Sequence, residues 1–380
     1  MGSVLNRRRR AVLVELSPDH GWVLFSQCLL LLEEGFDVSV VVHETNRDLE
    51  LLLTLEGRIR FKVVSGGSLG TLTVVLKEQL REKADLVTIN TVNCRSLWLT
   101  AMVTLGPLSV VLHNLDDFGF GRKRSKGFLG RLLLSRSKKL IVLSPKLKER
   151  AFQTLPPATH PKVSVFFPMF YGPSGEKTDR AEPSALSGRL TVVIPGSVCS
   201  RRNYESLAEI FPHLSSSPLL DRVVIRVLGD SSSDQGQWLR KVAAESASPD
   251  QIVFEAQKGY LSHWEFFERV AGADCILPLI DRSVIKEWGY NQTSAPSSLM
   301  LSRAFSVPLI CSTDLDLDDD LRLYSMMYEA DHVRDGLLAA IQAHEDGTLA
   351  QMKSVMAKSH DEWQKASRHN YLDDVGDDVV

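Results

Sequence analysis

Residues 192–211 read VVIPGSVCSRRNYESLAEIF. Val192, Val193 and Ile194 are β-branched and apolar, which suits a buried strand. Pro195, Gly196 and Ser197 then stop it with turn-forming residues. From Tyr204 onward the apolar residues recur at helical spacing, and Asn203 stands in front of them as a cap. A buried strand that passes through a glycine turn into a helix is the repeating unit of a parallel sheet covered on both faces.

The same alternation runs along the chain on both sides of this stretch. In the first half, strands are expected at 11–16, 37–43, 59–64, 85–90, 109–113, 139–143 and 162–167. Helices are expected at 22–34, 72–83, 96–105, 127–136 and 145–154. Residues 171–188, YGPSGEKTDRAEPSALSG, have no periodicity and read as a linker. The pattern then restarts, with strands at 190–194, 223–228, 252–255, 275–278 and 308–311. Helices are expected at 204–213, 235–244, 262–271, 297–305 and 333–344. A last helix over 348–368 precedes an acidic tail. No short repeat runs through the chain, which excludes a solenoid.

The expected fold class is therefore α/β, with two Rossmann-like doubly wound parallel-sheet domains facing a cleft. The expected limits are 1–170 and 189–346 for the domains, 171–188 for the linker, and 347–380 for a terminal helix and tail. Ligands of such sheets sit beyond the carboxyl ends of the strands, so the strand-to-helix loops are the places to look for chemistry.

Composition narrows the function. The 380 residues are 44% hydrophobic and 24% charged, with a formal net charge of -3. That near-neutral balance argues against a nucleic-acid partner. Five widely spaced cysteines, Cys28, Cys94, Cys199, Cys275 and Cys311, read as reduced thiols of a cytoplasmic protein. The longest apolar run, about residues 23–32, is too short to span a bilayer. Residues 7–10 are four arginines, read as a solvated tail; the sharper alternative is peripheral contact with an anionic membrane at its inner face.

Five loops could carry chemistry. SPDHGW, residues 17–22, sets Asp19 beside His20, a pairing that suits a general base near neutral pH. The plainer reading makes Asp19 the cap of the next helix. In VVLHNLDDFGFGRKRSKG, His113 ends a buried strand, as a functional group at the edge or as a satisfied core histidine, and the long basic loop after it is either an acceptor-binding lid or a plain solvated loop. In the opening stretch, Gly196 and Ser197 precede Arg201, Arg202 and a helix start, which together read as a phosphate cradle or as a solvated arginine loop. Thr293, Ser294, Ser297 and Ser298 gather at another helix start, as a second anion site or as ordinary caps. STDLDLDDDL, residues 312–321, invites a metal reading, but acids before a helix are commonly dipole-matching caps, and no metal is expected.

Together these segments resemble a glycosyltransferase of the GT-B fold, in the family 4-like group (glycosyl transferases group 1). VVIPGSVCSRRNYESL resembles the segment that holds the donor diphosphate. IVFEAQKGYLSHWEFFERVAGADCILPLI resembles the stretch that contacts the nucleoside, which implicates Gly259, Tyr260 and Leu261. SSLMLSRAFSVPLICS resembles the helix and strand that follow. VVLHN resembles an N-terminal strand ending in a functional histidine. Retaining members of the group carry a Glu-x7-Glu pair; aligned on SVPLI, its positions are Thr293 and Leu301 here, with Glu287 upstream as the nearest acid.

The resemblance implies sugar transfer from a nucleotide-diphosphate sugar to a hydroxyl of a saccharide or lipid-linked acceptor, in glycan or surface polysaccharide biosynthesis. Neither metal nor other cofactor is expected, because the donor is itself the substrate. The diphosphate would meet Ser197, Arg201 or Arg202, Thr293, Ser294 and Ser297. Asp19 or His20 would take the acceptor proton, and His113 would contact donor sugar or acceptor. The alternatives are a sugar-nucleotide epimerase or phosphorylase of the same fold, and a non-catalytic binding subunit.

Overall fold

The computed structural model describes residues 7–65, 68–81, 83–91, 104–118, 124–169, 188–214, 216–290, 293–330 and 332–373. The expected helix at 96–105 falls almost entirely outside them, and so do Cys94 and the linker apart from its last residue. By contact the chain divides into two compact units, Met1–Ser174 with Gln364–Val380, and Gly175–Trp363.

The first unit carries strands β1 (Arg10–Glu15), β2 (Asp37–His43), β3 (Arg60–Val64), β4 (Leu86–Ile89), β5 (Leu108–Val111), β6 (Lys139–Val142) and β7 (Val163–Val165). Its helices are α1 (Gly21–Glu33), α2 (Leu49–Leu53), α3 (Ser68–Arg81), α4 (Arg124–Arg136) and α5 (Pro145–Thr154). The strands form one parallel sheet in the order β3-β2-β1-β4-β5-β6-β7. The order reverses between β1 and β4, which is where a doubly wound sheet opens a crevice at its carboxyl edge.

The second unit repeats the plan. It has β8 (Leu190–Ile194), β9 (Val223–Asp230), β10 (Ile252–Ala256), β11 (Cys275–Ile276), β12 (Leu309–Ser312) and β13 (Ser325–Tyr328). Its helices are α6 (Tyr204–Leu214), α7 (Asp234–Ser246), α8 (His263–Ala271), α9 (Arg282–Trp288), α10 (Ser297–Phe305), α11 (Asp319–Arg322) and α12 (Val333–Glu345). A final helix, α13 (Thr348–Leu372), follows. The parallel order β10-β9-β8-β11-β12-β13 places its reversal between β8 and β11.

Period-two alternation explains why these strands are apolar throughout. Leu190, Val192 and Ile194 of β8 pack with α6 and α12 on one face, while Val193 packs with Ile276, Leu299 and Leu309 on the other. Each such side chain contributes roughly 1.5–3 kcal/mol on burial. Cys28, Cys275 and Cys311 are buried in these cores, and desolvation pushes their thiols upward, away from reactivity.

Several elements differ from expectation. Arg10 is not part of a solvated tail. It begins β1 at 4% exposure, its amide bonded to Asp85 Oδ2 at 2.7 Å and its Nε 3.4 Å from Asp37. α4 starts at Arg124 rather than residue 127, and a 3-10 turn occupies Leu115–Phe118, while residues 119–123 of the expected lid lie outside the described residues. α2, α9 and β13 were not expected.

The last helix does not stand apart as residues 347–380 would imply. Near its start Lys353 Nζ donates to the Ala273 carbonyl at 2.8 Å in the second unit. Near its end, in the first unit, the buried Tyr371 hydroxyl lies 3.0 Å from Thr88 Oγ1, and Arg368 pairs with Glu33 and Glu34 at 2.6 and 2.8 Å. No described helix is long and apolar enough to cross a membrane.

Candidate functional site

Both topological reversals carry polar groups that the core does not consume. At the β8–β11 reversal, Gly196 has φ 92, a conformation that suits glycine. A Cβ there would meet the Arg202 guanidinium at 2.6 Å. Arg202 thus lies across the turn, and it also donates to the Pro278 carbonyl at the end of β11. Gly229 is equally constrained, since its Cβ would meet the Gly196 carbonyl oxygen at 2.0 Å. Gly229→Ala is therefore expected to destabilise the second unit by about 2 kcal/mol; a thermal melt unchanged from wild type would show that the turn has room to give.

Asn203 caps α6 as expected: its Oδ1 accepts the Ser206 amide at 3.1 Å. Its amide group also donates to Asp281, the cap of α9. Burial opposes the charge of Asp281, but hydrogen bonds from Ser283, the Val284 amide and Asn203 prevail and hold its carboxyl below the usual range. With that end of α6 occupied, the positive elements left in the loop are side chains. Arg201 is exposed and stacks over Trp288, 4.7 Å from the ring centroid. Trp288 is held by its own N–H to the Ser200 carbonyl at 3.2 Å. Leu279 adopts φ 55 beside this loop and accepts the Asn203 amide at 2.8 Å. Such backbone strain in a non-glycine residue is common at functional loops.

α10 presents a different end. Its cap position is Pro296, whose side chain makes no capping bond. Ser297 is exposed in its first turn, and Ser298 is fully buried with no partner for its hydroxyl. The ordinary-cap reading of these hydroxyls does not hold. Thr293 returns its amide to the Gly289 carbonyl at 2.9 Å, and Ser294 bridges to Tyr290. Burial raises Tyr290's hydroxyl above its ordinary value, opposed by the charges of Arg202 and then Arg201.

The remaining residues expected in the donor site are more dispersed. Gly259 has φ 81, Leu261 is partly buried, and Tyr260 is 63% exposed. Asp230, at the end of β9, is held below its ordinary value by Ser232 first and also by the Gly259 amide, which ties this loop to the strand end. Glu287 stands exposed on α9. The acids of residues 312–321 stand at a helix start as expected, with Asp318 at the cap position of α11 and Asp319 and Asp320 in its first turn, and several of them are also ion-pair partners. Asp318 and Asp320 pair with the buried Arg303 at 2.7 and 2.6 Å, and Asp314 pairs with Arg282 at 3.0 Å. Among the described residues no group of three or more His, Cys, Asp or Glu is arranged to hold a metal ion.

The β1–β4 reversal holds a second cluster. His20 has φ 71 at the cap position of α1 and makes no side-chain capping bond. Asp19 is not the cap; it pairs with Arg47 at 3.4 Å. Asp48 Oδ2 instead accepts the Trp22 amide, from a segment that also crowds Gly21. His113 lies two residues beyond β5, nearly buried, and its ring stacks on His20 at 3.8 Å. Burial first and His20 second lower His113 well below the ordinary histidine value, so it is neutral at pH 7. The Asn90 backbone engages its ring while Nε2 has no partner. Gln27 Nε2 and Asn90 Oδ1, also fully buried, are unpartnered too, although these two side chains bond to each other at 2.8 Å. Buried polar groups left unmatched call for a water or a ligand.

Sequence reasoning missed Glu15, Gln27, Asn90, Asp230 and Asp281. For Gln27 the signal was present, as an amide inside the apolar run of α1.

This architecture is the GT-B fold, two Rossmann-like parallel-sheet domains in one chain. No protein-family model and no curated protein matches the chain. Solved structures do. A glycosyltransferase from Rickettsia africae ESF-5 superposes with a TM-score of 0.66 at 12% identity, over 97% of this chain and 98% of that one. Anabaena HepE in complex with UDP-glucose gives 0.64 at 11% identity, over 96% and 98%. A protein named as a candidate UDP-N-acetylglucosamine 2-epimerase from Listeria monocytogenes gives 0.58 at 12% identity, over 94% and 91%.

Proposed function

We propose that the protein transfers a sugar from a nucleotide-diphosphate sugar to a hydroxyl of a saccharide or lipid-linked acceptor. One observation carries this reading. At the carboxyl edge of the second sheet, two arginines lie on the loop after β8, the start of α10 has no side-chain cap, and the buried Ser298 hydroxyl in its first turn has no partner. That combination of cations, free N–H groups and hydroxyls suits a diphosphate. HepE, of the same fold, was solved with UDP-glucose, which supports the same ligand class.

In this reading Ser197, Arg201, Arg202, Ser297 and Ser298 receive the diphosphate, with Thr293 and Ser294 beside it. The departing nucleoside diphosphate gains negative charge as the glycosidic bond breaks. Fixed cations and helix N–H groups stabilise that transition state more than the ground state. The base rests near Gly259, Tyr260 and Leu261. Asp19 or His20 takes the proton of the acceptor hydroxyl. His113, neutral with a free Nε2, hydrogen-bonds a sugar hydroxyl, together with Gln27 and Asn90. Thr293 and Leu301 replace the acidic pair of retaining relatives, so the acids of that mechanism do not enter. Turnover is expected to persist in EDTA; loss in EDTA with recovery on adding magnesium would overturn the metal-free account.

The Listeria neighbour supports a second reading, a reaction on the nucleotide sugar that needs no acceptor. Incubating the protein with UDP-sugars, with and without saccharide acceptors, separates the two. A new glycoside formed only with acceptor supports transfer, and an isomerised donor formed without acceptor supports the second reading. Binding of UDP-sugars with neither product would indicate a binding subunit.

A further inference from the structure

The first unit contains an acid that the proposed reaction does not use. Glu15 ends β1, which lies between β2 and β4, and is fully buried. Its Oε1 accepts the Ser17 amide at 2.7 Å, and its Oε2 lies 2.6 Å from Thr91 Oγ1 at the end of β4. Glu15 is therefore a clasp across the sheet reversal. It holds the first residue of the 17–20 turn against the neighbouring strand.

The rest of that turn is fixed from the other side. Asn46 donates to the carbonyls of Ser17 and Asp19 at 2.9 and 3.4 Å, and the Arg47 amide donates to the Pro18 carbonyl at 2.8 Å. The turn ends in His20, which the backbone holds in a left-handed conformation and which stacks on His113. Moving Ser17 would shift Asp19 and His20 together.

The surroundings of Glu15 oppose its charge. Burial is the largest cause, and it raises the carboxyl from 4.5 to about 8; the bonds from Thr91 and Ser17 counter it only in part. Asp19, on the turn itself, and Asp48, on the segment before α2, push in the same direction as burial. Arg47, the cation of that segment, pairs with Asp19. His20 and His113 also lie at this edge, as do His43 and Glu44 at the end of β2, and His113 is neutral. The Thr91 hydroxyl and the Ser17 amide both donate to this carboxyl, one to each oxygen.

We propose that Glu15, through its bonds to Ser17 and Thr91, is a positioning residue that sets the 17–20 turn, and with it Asp19 and His20, for the reaction. The role in the reaction rests on the transfer reading above; the clasp itself does not. Ionisation places a charge in an apolar site between two carboxylates, and the clasp opens. The turn then loses its fixed relation to His113.

The test is hydrogen exchange of the peptide covering residues 16–24, corrected for intrinsic rates, from pH 6.5 to 9.5. The wild type and Glu15→Gln are compared, since glutamine reproduces the donor and acceptor of the neutral acid. Protection in the wild type is expected to fall about tenfold between pH 7 and 9.5, and to stay constant in Glu15→Gln. Constant protection in the wild type, or the same loss in both proteins, would overturn the proposal. Should Glu15→Gln fail to fold, the wild-type series alone decides it. Where transfer is measured, kcat in the wild type should decline above about pH 8, with that decline moved or removed in Glu15→Gln. Exchange that behaves as expected without any transfer activity would leave the clasp standing and overturn the transfer reading instead.

Discussion

Glu15→Gln is expected to make the folded protein more stable at pH 8, with the advantage shrinking as the pH is lowered. The sign follows from linkage. The carboxyl of Glu15 is raised to about 8 in the folded chain, against 4.5 when unfolded. Below the unfolded value both states hold the proton and burial carries no ionisation cost. Between the two values the unfolded chain ionises while the folded chain stays protonated, so stability falls by about 1.4 kcal/mol per pH unit. Above the folded value the loss levels off. Glutamine has no such titration, so a difference of a few kcal/mol should open across this window. Urea unfolding of both proteins at pH 5, 6.5 and 8 measures it. A difference independent of pH would mean that Glu15 is charged in the folded protein.

The second large effect concerns Arg201 and Arg202. Replacing both with alanine is expected to weaken UDP-sugar binding at least about 100-fold, because charge-assisted hydrogen bonds contribute about 1.5–3 kcal/mol each. The two single changes should differ. Arg202 braces the Gly196 turn against Pro278, so its loss should also lower thermal stability. Arg201 is exposed over Trp288, so its loss should leave the melt near wild type and show in affinity alone. Titration calorimetry reads both; unchanged affinity in the double variant would remove the arginines from the donor site.

The sequence made the scaffold legible because strands buried on both faces leave continuous apolar runs. The strands at Asp37–His43 and Leu190–Ile194 and the helices at Pro145–Thr154 and Ser297–Phe305 have the limits the sequence suggests. β13 escaped notice because it is a short edge strand, half buried, following an acid-rich segment. α9 escaped because seven residues barely establish a period, and its start is fixed by Asp281 rather than by an apolar pattern.

The candidate site was legible only in part. Strand-end loops named His20, His113, Gly196 and the arginines, because topology alone directs attention there. Pairings across the sheet were not visible. Glu15 reads as one acid in an apolar strand until Thr91, on another strand, comes within 2.6 Å. The stacking of His20 on His113 likewise depends on the order of β1, β4 and β5 rather than on either local sequence. The cap reading of Asp19 and the tail reading of Arg10 changed for one reason. Each was read from its neighbours in the chain, and each meets a partner from elsewhere in the fold: Arg47 and Asp37.

The central claim is that a nucleotide diphosphate binds at the β8–β11 reversal. Hydrogen exchange with and without UDP tests it most directly, by mapping where the ligand slows exchange. Slower exchange in residues 196–204 and 293–300 is predicted; UDP binding that leaves both segments unchanged would contradict it.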